Sequence, residues 1–277
     1  MSSTLKTFAI FGAGNLGTQC ARELNAQGYE CTLLPRDLDQ IPKGLSADCL
    51  LHCAGPTGDF RTRVLDTFDA AVTATIELMR KIRPRRVVAV SSVRVYGFRS
   101  EPVAFDELAP VHTDHTSLDF AYDGAKQALE NLMLHGAPEL GIEGVVVRLS
   151  NLVGGAIRPG RAAMLHHALR DARGSSAPVE TRQHLDSSKD YLHVSDAASG
   201  ILLAALHGQR GDIYNIASGV ALSVQDVAKR LGVRVLCTDA NAHPTHSRIA
   251  INKAQTELGY RPHYADAGSV VAAIAEE

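Results

Sequence analysis

Tyr122 and Lys126 are the side chains of this 277-residue chain best suited to proton transfer. Their four-residue spacing places both on one face of a predicted helix. A lysine ammonium beside a phenol favours the phenolate and lowers the tyrosine pKa toward neutral pH. Tyr122 can therefore act as a general acid or base, with Lys126 tuning it.

Two serines, Ser91 and Ser92, follow the apolar segment 86–90, which is predicted to be a strand. Open α/β sheets bind ligands at the carboxyl edge of their strands, so a hydroxyl there can hydrogen-bond a carbonyl or alkoxide oxygen. Serines after a strand are also ordinary loop caps. On the residues alone, both interpretations stay open.

Gly12, Gly14 and Gly17 form a GxGxxG motif between the apolar strand Thr7–Phe11 and a predicted helix. Such a turn needs glycine, a pyrophosphate must approach bare backbone, and the helix N-terminus offers free N–H groups. The strand–turn–helix context favours dinucleotide binding over a structural turn. Asn15 and Leu16, inside the motif, are expected to join the same binding site.

The end of the second predicted strand bears on the choice of cofactor. It reads Leu34-Pro35-Arg36-Asp37. An acidic residue there binds ribose hydroxyls, whereas an arginine pairs with a 2′-phosphate. Because Arg36 comes first, we expect NADP to be favoured over NAD. The alternative is that Arg36 is a solvated loop residue.

The elements that position these residues alternate between strand and helix through the first half of the chain. Such alternation predicts an α/β fold, a doubly wound parallel sheet of Rossmann type. We expect residues 1–150 to form the dinucleotide-binding domain, with a returning segment near 184–217, and 151–277 mainly to form a small substrate domain. Helices are predicted at 16–27, 61–80, 121–134, 162–172, 194–206, 224–231 and 265–275, and two short strands, 213–216 and 233–237, complete the chain.

Composition excludes several function classes. A formal net charge of −2 carries no nucleic-acid signature. Five dispersed cysteines and twelve histidines lack metal-ligand spacing, so no metal site is expected. No apolar run approaches the roughly 18 residues that span a bilayer, and the N-terminus lacks the features of a signal peptide. We expect a cytoplasmic protein without a membrane partner.

Five ordered motifs resemble the extended or atypical short-chain dehydrogenase/reductases, the NAD-dependent epimerase/dehydratase family of nucleotide-sugar enzymes. The resemblance covers nearly the whole chain. Its motifs are DCLLHCAG at 48–55, SSVRVYG at 91–97, RLSNLVG at 148–154, DYLHVSD at 190–196 and YNIASG at 214–219.

The resemblance implies specific roles. Ser92, four residues before Tyr96, matches the catalytic hydroxyl residue, and it joins Tyr122 and Lys126. It also implies that Lys126 holds the nicotinamide ribose. Ala54 and Gly55 flank the cofactor, and Asn151 contacts the substrate.

Departures from the family pattern narrow the reaction. Phe11 replaces the first glycine of GxxGxxG, and Lys189 replaces the arginine before Asp190. Val93 and Arg94 replace the acidic pair of the sugar dehydratases, which argues against 4,6-dehydration. The chain is also short for an epimerase of this family.

The resemblance predicts an enzyme that moves hydride at a carbinol or keto carbon of a nucleotide-activated sugar, as an epimerase or oxidoreductase. A homodimer is implied through the helices near 61–80 and 121–134. One alternative is an NADPH-dependent reductase of a smaller carbonyl substrate, and another is a non-catalytic NAD(P) sensor. Arg94 and Arg248 are expected to contact substrate with Ser92 and Asn151, and Arg158, Arg161 and Arg182 are further candidate phosphate ligands.

Overall fold

Most apolar runs of the first half become buried strands, as the sequence predicts, whereas the strand Glu30–Leu34 is largely exposed. The computed structural model describes residues 5–55, 60–155 and 164–276. Up to residue 149 the elements are β1 (Thr7–Phe11), α1 (Asn15–Ala26), β2 (Glu30–Leu34), β3 (Cys49–His52), α2 (Val64–Phe68), α3 (Ala74–Ile82), β4 (Arg86–Ser92), β5 (Ala104–Phe105), α4 (Phe120–Asn131), α5 (Ala137–Glu139) and β6 (Glu143–Leu149).

The second half contains shorter strands. Its elements are β7 (Asn151–Val153), α6 (Leu165–Asp171), β8 (Val179–Thr181), β9 (Ser188–His193), α7 (Val194–His207), β10 (Ile213–Ile216), β11 (Ala221–Ser223), α8 (Val224–Leu231), β12 (Val235–Cys237), β13 (His246–Ile249), α9 (Asn252–Glu257) and α10 (Ala267–Glu276).

The main sheet has six parallel strands in the order β10-β6-β4-β3-β1-β2. The chain runs outward from β1 to β2, then returns to place β3 on the other side of β1. This reversal makes the β1/β3 crevice the topological switch point, where open α/β sheets bind ligands. The loops after β1, β3, β4 and β6 meet at that carboxyl edge, and the α/β fold is confirmed.

Helices cover both faces of the sheet, so its strands are apolar on both sides. Along β4, Val88 and Val90 face the cluster that contains α1 and α7, whereas Val87 and Ala89 face the cluster that contains α3 and α4. This period of two continues past the apolar run. Ser91 therefore falls on the α4 side of the strand.

The short strands of the second half assemble beside the main sheet. A five-stranded sheet has the order β11-β9-β13-β5 with β7 paired to β9, and β8 pairs with β12. The third hydrophobic cluster packs beneath it, from α6, α8 and α10. β10 belongs to the main sheet although it lies late in the chain. The domain boundaries at residue 150 stay a prediction.

The structure corrects the sequence prediction in the second half. The expectation that two strands complete the chain is wrong, because β7, β8, β9, β11 and β13 are present as well. The predicted helix 61–80 runs from 64 to 82, as α2, the π-helical segment Asp69–Thr73 and α3. The predicted helix 162–172 is observed as α6, and residues 162 and 163 lie outside the described residues.

Candidate active site

The glycine loop after β1 is packed against the end of β3. Gly12 has φ +104°, and a Cβ there would lie 2.5 Å from the Ala54 backbone nitrogen. A Cβ on Gly17 would overlap the Gly12 carbonyl oxygen. A Cβ on Gly14, in contrast, would meet open space. Two glycines are therefore required by the turn itself, and the middle one keeps the open side of the loop bare.

No acidic side chain of its own first turn occupies the N-terminus of α1. Gly14 is its cap, no side chain accepts a hydrogen bond there, and the first turn holds no acidic residue. Helix N-termini present unsatisfied N–H groups and positive potential, which suit a phosphate. The Leu16 side chain is buried in the core, so only its backbone amide is available to bind a phosphate. Asn15 Nδ2 donates to Gly154 O at 2.8 Å and ties the loop to the segment after β7.

Arg36 and Asp37, in the loop after β2, differ in their hydrogen bonding. The Asp37 carboxylate accepts hydrogen bonds from Asp39 N at 3.1 Å and from Gln40 Nε2 at 3.0 Å, which caps the short 3₁₀ helix Leu38–Gln40. Arg36 is exposed and makes no hydrogen bond or ion pair to a described residue. Of the two side chains, Arg36 is therefore the one that is available to bind a ligand.

Lys126 lies at the centre of the site. Its Nζ donates to Val90 O at 2.8 Å, and a Cβ on Gly55 would lie 3.5 Å from that nitrogen. The Tyr122 ring centroid is 5.8 Å from the same nitrogen. Lys126 therefore connects the end of β3, the end of β4 and the tyrosine. This is the grouping that the spacing of the two residues predicts.

Burial shifts the proton affinity of Lys126. Its side chain is 5% exposed, and desolvation lowers the pKa of the ammonium to about 8. The nearby Cys53 thiol and Glu130 carboxylate oppose that shift but do not cancel it. At neutral pH the lysine still carries its charge beside Tyr122.

The two serines at the end of β4 have different surroundings. Ser91 is buried, and its Oγ donates to Glu130 Oε1 at 2.5 Å. Ser92 is half-buried at the strand end, and its Oγ accepts from Arg94 N at 3.3 Å. Ser91 is committed to the interior, so Ser92 is the serine that can meet a ligand.

Arg94 lies over the tyrosine. Its Cζ is 5.4 Å from the Tyr122 ring centroid and 5.1 Å from that of Phe60, and the two rings are 5.3 Å apart. Its Nε donates to Asp123 Oδ1 at 3.0 Å. Through its backbone Arg94 touches Ser92 and through its side chain Tyr122, so it joins both predicted catalytic side chains.

A buried ion pair lies behind the site, and the sequence analysis missed it. Arg148 donates to both oxygens of Glu130, from Nε at 2.9 Å and from Nη2 at 2.6 Å. The guanidinium also lies 4.7 Å from the Tyr96 ring centroid, and Tyr96 Oη donates to Asn215 Oδ1 at 2.8 Å. The available signal was spacing, because Glu130 follows Lys126 by one helical turn.

The predicted substrate residues outside this group are scattered. Asn151 Nδ2 donates to the backbone oxygen of the buried Asp190 at 2.9 Å. Arg248 is exposed on β13 and makes no hydrogen bond or ion pair to a described residue. Arg182 is exposed near Asp239. Arg158 and Arg161 lie outside the described residues.

Neither a membrane-spanning helix nor a metal-binding cluster occurs in the described part of the chain. No helix within residues 5–55, 60–155 and 164–276 is long and apolar enough to cross a membrane. Within those same ranges, no three histidine, cysteine, aspartate or glutamate side chains are grouped to hold a metal ion.

The curated relatives are about one-quarter identical to this chain over the aligned residues. The dTDP-6-deoxy-L-talose 4-dehydrogenase (NAD(P)(+)) of Kitasatospora kifunensis is 25% identical over 295 residues, covering 91% of this chain and 89% of that protein. The dTDP-glucose 4,6-dehydratase of Streptomyces niveus is 29% identical over 208 residues, covering 72% of this chain. This chain spans 59% of that dehydratase and 56% of the Escherichia coli dTDP-4-dehydro-6-deoxyglucose reductase.

Solved structures share the fold over the full length. RMD from Pseudomonas aeruginosa, complexed with NADPH, has a TM-score of 0.80 at 20% identity and covers 98% of both chains. The UDP-glucose 4-epimerase of Thermus thermophilus, complexed with NAD, has a TM-score of 0.78 at 17% identity over 97% of this chain and 98% of that one. At these identities the likeness establishes the fold.

Family membership follows from the sequence match. The sequence model of the "NAD dependent epimerase/dehydratase family" matches residues 9–217, well over half of the chain. That match includes the glycine loop, Ser92, Tyr122, Lys126 and Asn151. The chain therefore belongs to the NAD dependent epimerase/dehydratase family.

Proposed function

We propose that this chain is an NAD(P)-dependent epimerase or oxidoreductase that acts on a carbinol or keto carbon of a nucleotide-activated sugar. The observation that carries the proposal is the position of Lys126. Its ammonium lies beside the Tyr122 ring, on Val90 O next to the serines, and against Gly55. A proton-transfer group and the end of a dinucleotide-binding crevice therefore share one edge of the sheet.

The residues present fit a dinucleotide. Gly12 and Gly17 allow the tight turn, and Gly14 leaves bare backbone at a helix N-terminus that no side chain caps, where a pyrophosphate would be held. Ala54 and Gly55 follow β3, with Ala54 packed on Gly12 and Gly55 beside the Lys126 ammonium, so they would flank the same dinucleotide. A bound nicotinamide supplies the hydride acceptor in one direction and the hydride donor in the other.

The side chains then divide the proton chemistry. In the oxidising direction Tyr122, as phenolate, accepts the proton of the substrate hydroxyl while the carbon gives up its hydride. Ser92 donates a hydrogen bond to the same oxygen. Lys126 holds positive charge next to the phenol, which favours its ionised form. In the reducing direction the same Tyr122 returns its proton to the oxygen.

The nucleotide-sugar class rests on the relatives. Their names specify dTDP, GDP and UDP sugars. Against 4,6-dehydration stands the pair Val93 and Arg94, because neither side chain can act as the acid or base for removing water. We therefore propose epimerisation or net redox chemistry at the sugar, although dehydratases are among the relatives.

A second candidate is an NADPH-dependent reductase of a smaller carbonyl compound. Its supporting observation is that Arg36 is exposed and without a described partner, whereas Asp37 is engaged in a cap. An arginine there pairs with a 2′-phosphate, and NADPH is the usual donor for net reduction. We also propose, from the family resemblance alone, that the chain forms a homodimer, which light scattering would test.

The first experiment identifies the cofactor. The purified protein is denatured, and any released nucleotide is identified by mass spectrometry, with NADH and NADPH titrations of the native protein alongside. Retained NAD supports an epimerase that recycles its cofactor. An empty protein that binds NADPH reversibly supports a reductase. Binding of neither at millimolar concentration would refute the dinucleotide site.

The second experiment tests the tyrosine. Tyr122→Phe removes only the phenolic oxygen, and Tyr29→Phe is the matched control, because Tyr29 packs its ring on Phe8 in the core rather than on the site. We expect Tyr122→Phe to lower turnover of a panel of nucleotide sugars about 100-fold or more while cofactor binding persists. Equal activity of the two variants would refute the assignment of Tyr122.

A further inference from the structure

Arg94 has donors to spare beside the reacting group. A guanidinium carries five N–H donors, and Arg94 uses one, from Nε to Asp123. Its four terminal N–H groups have no acceptor among the described residues, and the side chain is about one-third exposed (32%). The aromatic rings of Phe60 and Tyr122 hold the guanidinium plane in place. The result is a positioned cation with unused hydrogen-bonding capacity.

Lys189 on β9 is a second basic residue of this region, and the charges of Lys189 and Arg94 repel each other. The Lys189 Nζ lies 5.7 Å from the Phe98 ring centroid. Burial lowers the pKa of Lys189, and the positive charge of Arg94 lowers it further. Lys189 forms no ion pair with any described residue. Asp123 is the one carboxylate that hydrogen-bonds Arg94 within the described ranges, so the Arg94–Asp123 pair leaves Lys189 without an anionic partner there.

We propose that Arg94, supported by Lys189, binds a carboxylate that the substrate carries close to its reacting carbon. The sugar would then be a uronate rather than a neutral hexose. This inference rests on the proposed function, because Tyr122 fixes where the reacting carbon lies. Bidentate pairing with a planar carboxylate is the geometry that a guanidinium favours.

Two other roles for Arg94 give different results. If it binds the diphosphate, its loss weakens hexose and uronate nucleotides equally, because both carry that group. If it only stabilises the Tyr122 phenolate, its loss shifts the pH profile of turnover with either sugar and leaves their relative affinity unchanged. The carboxylate role alone predicts a loss confined to the uronate.

The experiment compares paired ligands on the cofactor-loaded protein. Isothermal titration calorimetry compares the affinity for UDP-glucuronate with that for UDP-glucose, and then the affinities for the corresponding dTDP sugars. Arg94→Gln alone would leave Asp123 buried without its cation, so the test variant is Arg94→Gln with Asp123→Asn, which keeps the hydrogen-bonded pair neutral. Arg210→Gln is the control, because this exposed arginine comes just before β10 and therefore lies at the amino edge of the sheet, away from the site.

We expect the wild-type protein to bind the uronate more tightly than the hexose. The double variant should lose about 10- to 100-fold in uronate affinity, the range for a hydrogen bond to a charged group. Hexose affinity should stay within about a factor of three. Arg94→Lys, which keeps the positive charge, should lose less uronate affinity than the double variant.

Hexose binding equal to or tighter than uronate binding in the wild-type protein would overturn the inference and leave the proposed function standing. An equal loss for both sugars in the double variant would overturn it too. If no nucleotide sugar binds at all, the proposed function itself fails, and the inference fails with it.

Discussion

Replacing Glu130 with glutamine should destabilise the protein strongly, because it strands a buried cation. The side chains of Glu130 and Arg148 are 6% and 4% exposed, and both carboxylate oxygens accept from the guanidinium. Burial lowers the pKa of Arg148, but the hydrogen bonds to Glu130 outweigh it and the pKa is raised overall. Glu130→Gln keeps the size of the side chain and removes its charge.

The magnitude follows from this burial. Breaking one partner of a buried pair costs about 3–5 kcal/mol, because the remaining charge stays desolvated. Each kcal/mol lowers Tm by about 2–4 °C in a chain somewhat smaller than this one, so we expect Tm to fall by about 6–20 °C. A total stability of about 10 kcal/mol, the middle of the usual range, leaves the variant folded at low temperature.

Thermal and urea unfolding at neutral pH would measure the effect against a control. Glu143→Gln breaks a second arginine–glutamate pair, Arg86 with Glu143, in which the carboxylate is 34% exposed. Its cost should be about 1 kcal/mol. Glu130→Leu combined with Arg148→Met and Ser91→Ala should recover most of the loss, because neither charge of the pair nor the Ser91 hydroxyl is then left buried without its partner. Equal costs for Glu130→Gln and Glu143→Gln, or a triple variant as unstable as Glu130→Gln, would refute the reasoning.

Three further predictions concern the cofactor crevice. Because the folded pKa of Lys126 is about 8 against 10.5 for an ordinary lysine, the unfolded chain binds more protons between those values. The free energy of unfolding of the cofactor-free protein should therefore rise by about 3 kcal/mol between pH 8 and 10.5, relative to that of Lys126→Met. Urea unfolding at several pH values would measure this, and the same pH dependence in both proteins would contradict it. Arg36→Ser should weaken NADPH binding about 10-fold and leave NADH binding unchanged in fluorescence titrations, whereas equal effects would exclude a 2′-phosphate contact. Gly17→Ala should lower Tm and Gly14→Ala should not, because only the first Cβ meets backbone; equal Tm values would contradict the packing.

The sequence predicted the parts of the fold that local pattern controls. The strands Thr7–Phe11 and Ile213–Ile216 have the predicted bounds, since each is a short β-rich segment between turn signals. The five-stranded sheet escaped prediction because its strands are two to six residues long and pair over long separations, as Ala104 of β5 does with Arg248 of β13. Periodicity in so few residues carries little information.

The candidate site divides in the same way. Spacing and the strand–turn–helix context predicted the glycine loop, and spacing predicted that Tyr122 and Lys126 lie together. It could not show that Phe60, more than 30 residues before Arg94, would lie against that guanidinium. Nor could it separate Ser91 from Ser92 on chemistry, because the choice depends on which face of β4 each side chain occupies.

One face of α4 accounts for most of the site. Tyr122, Lys126 and Glu130 are spaced by four and lie on the same side of the helix. A lysine and a glutamate at that spacing would ordinarily pair, which would raise the pKa of Lys126 and draw its ammonium away from the phenol. Here Arg148 occupies both oxygens of Glu130. The buried pair thus keeps the carboxylate from competing with Tyr122, and the charge of Lys126 remains available to the tyrosine.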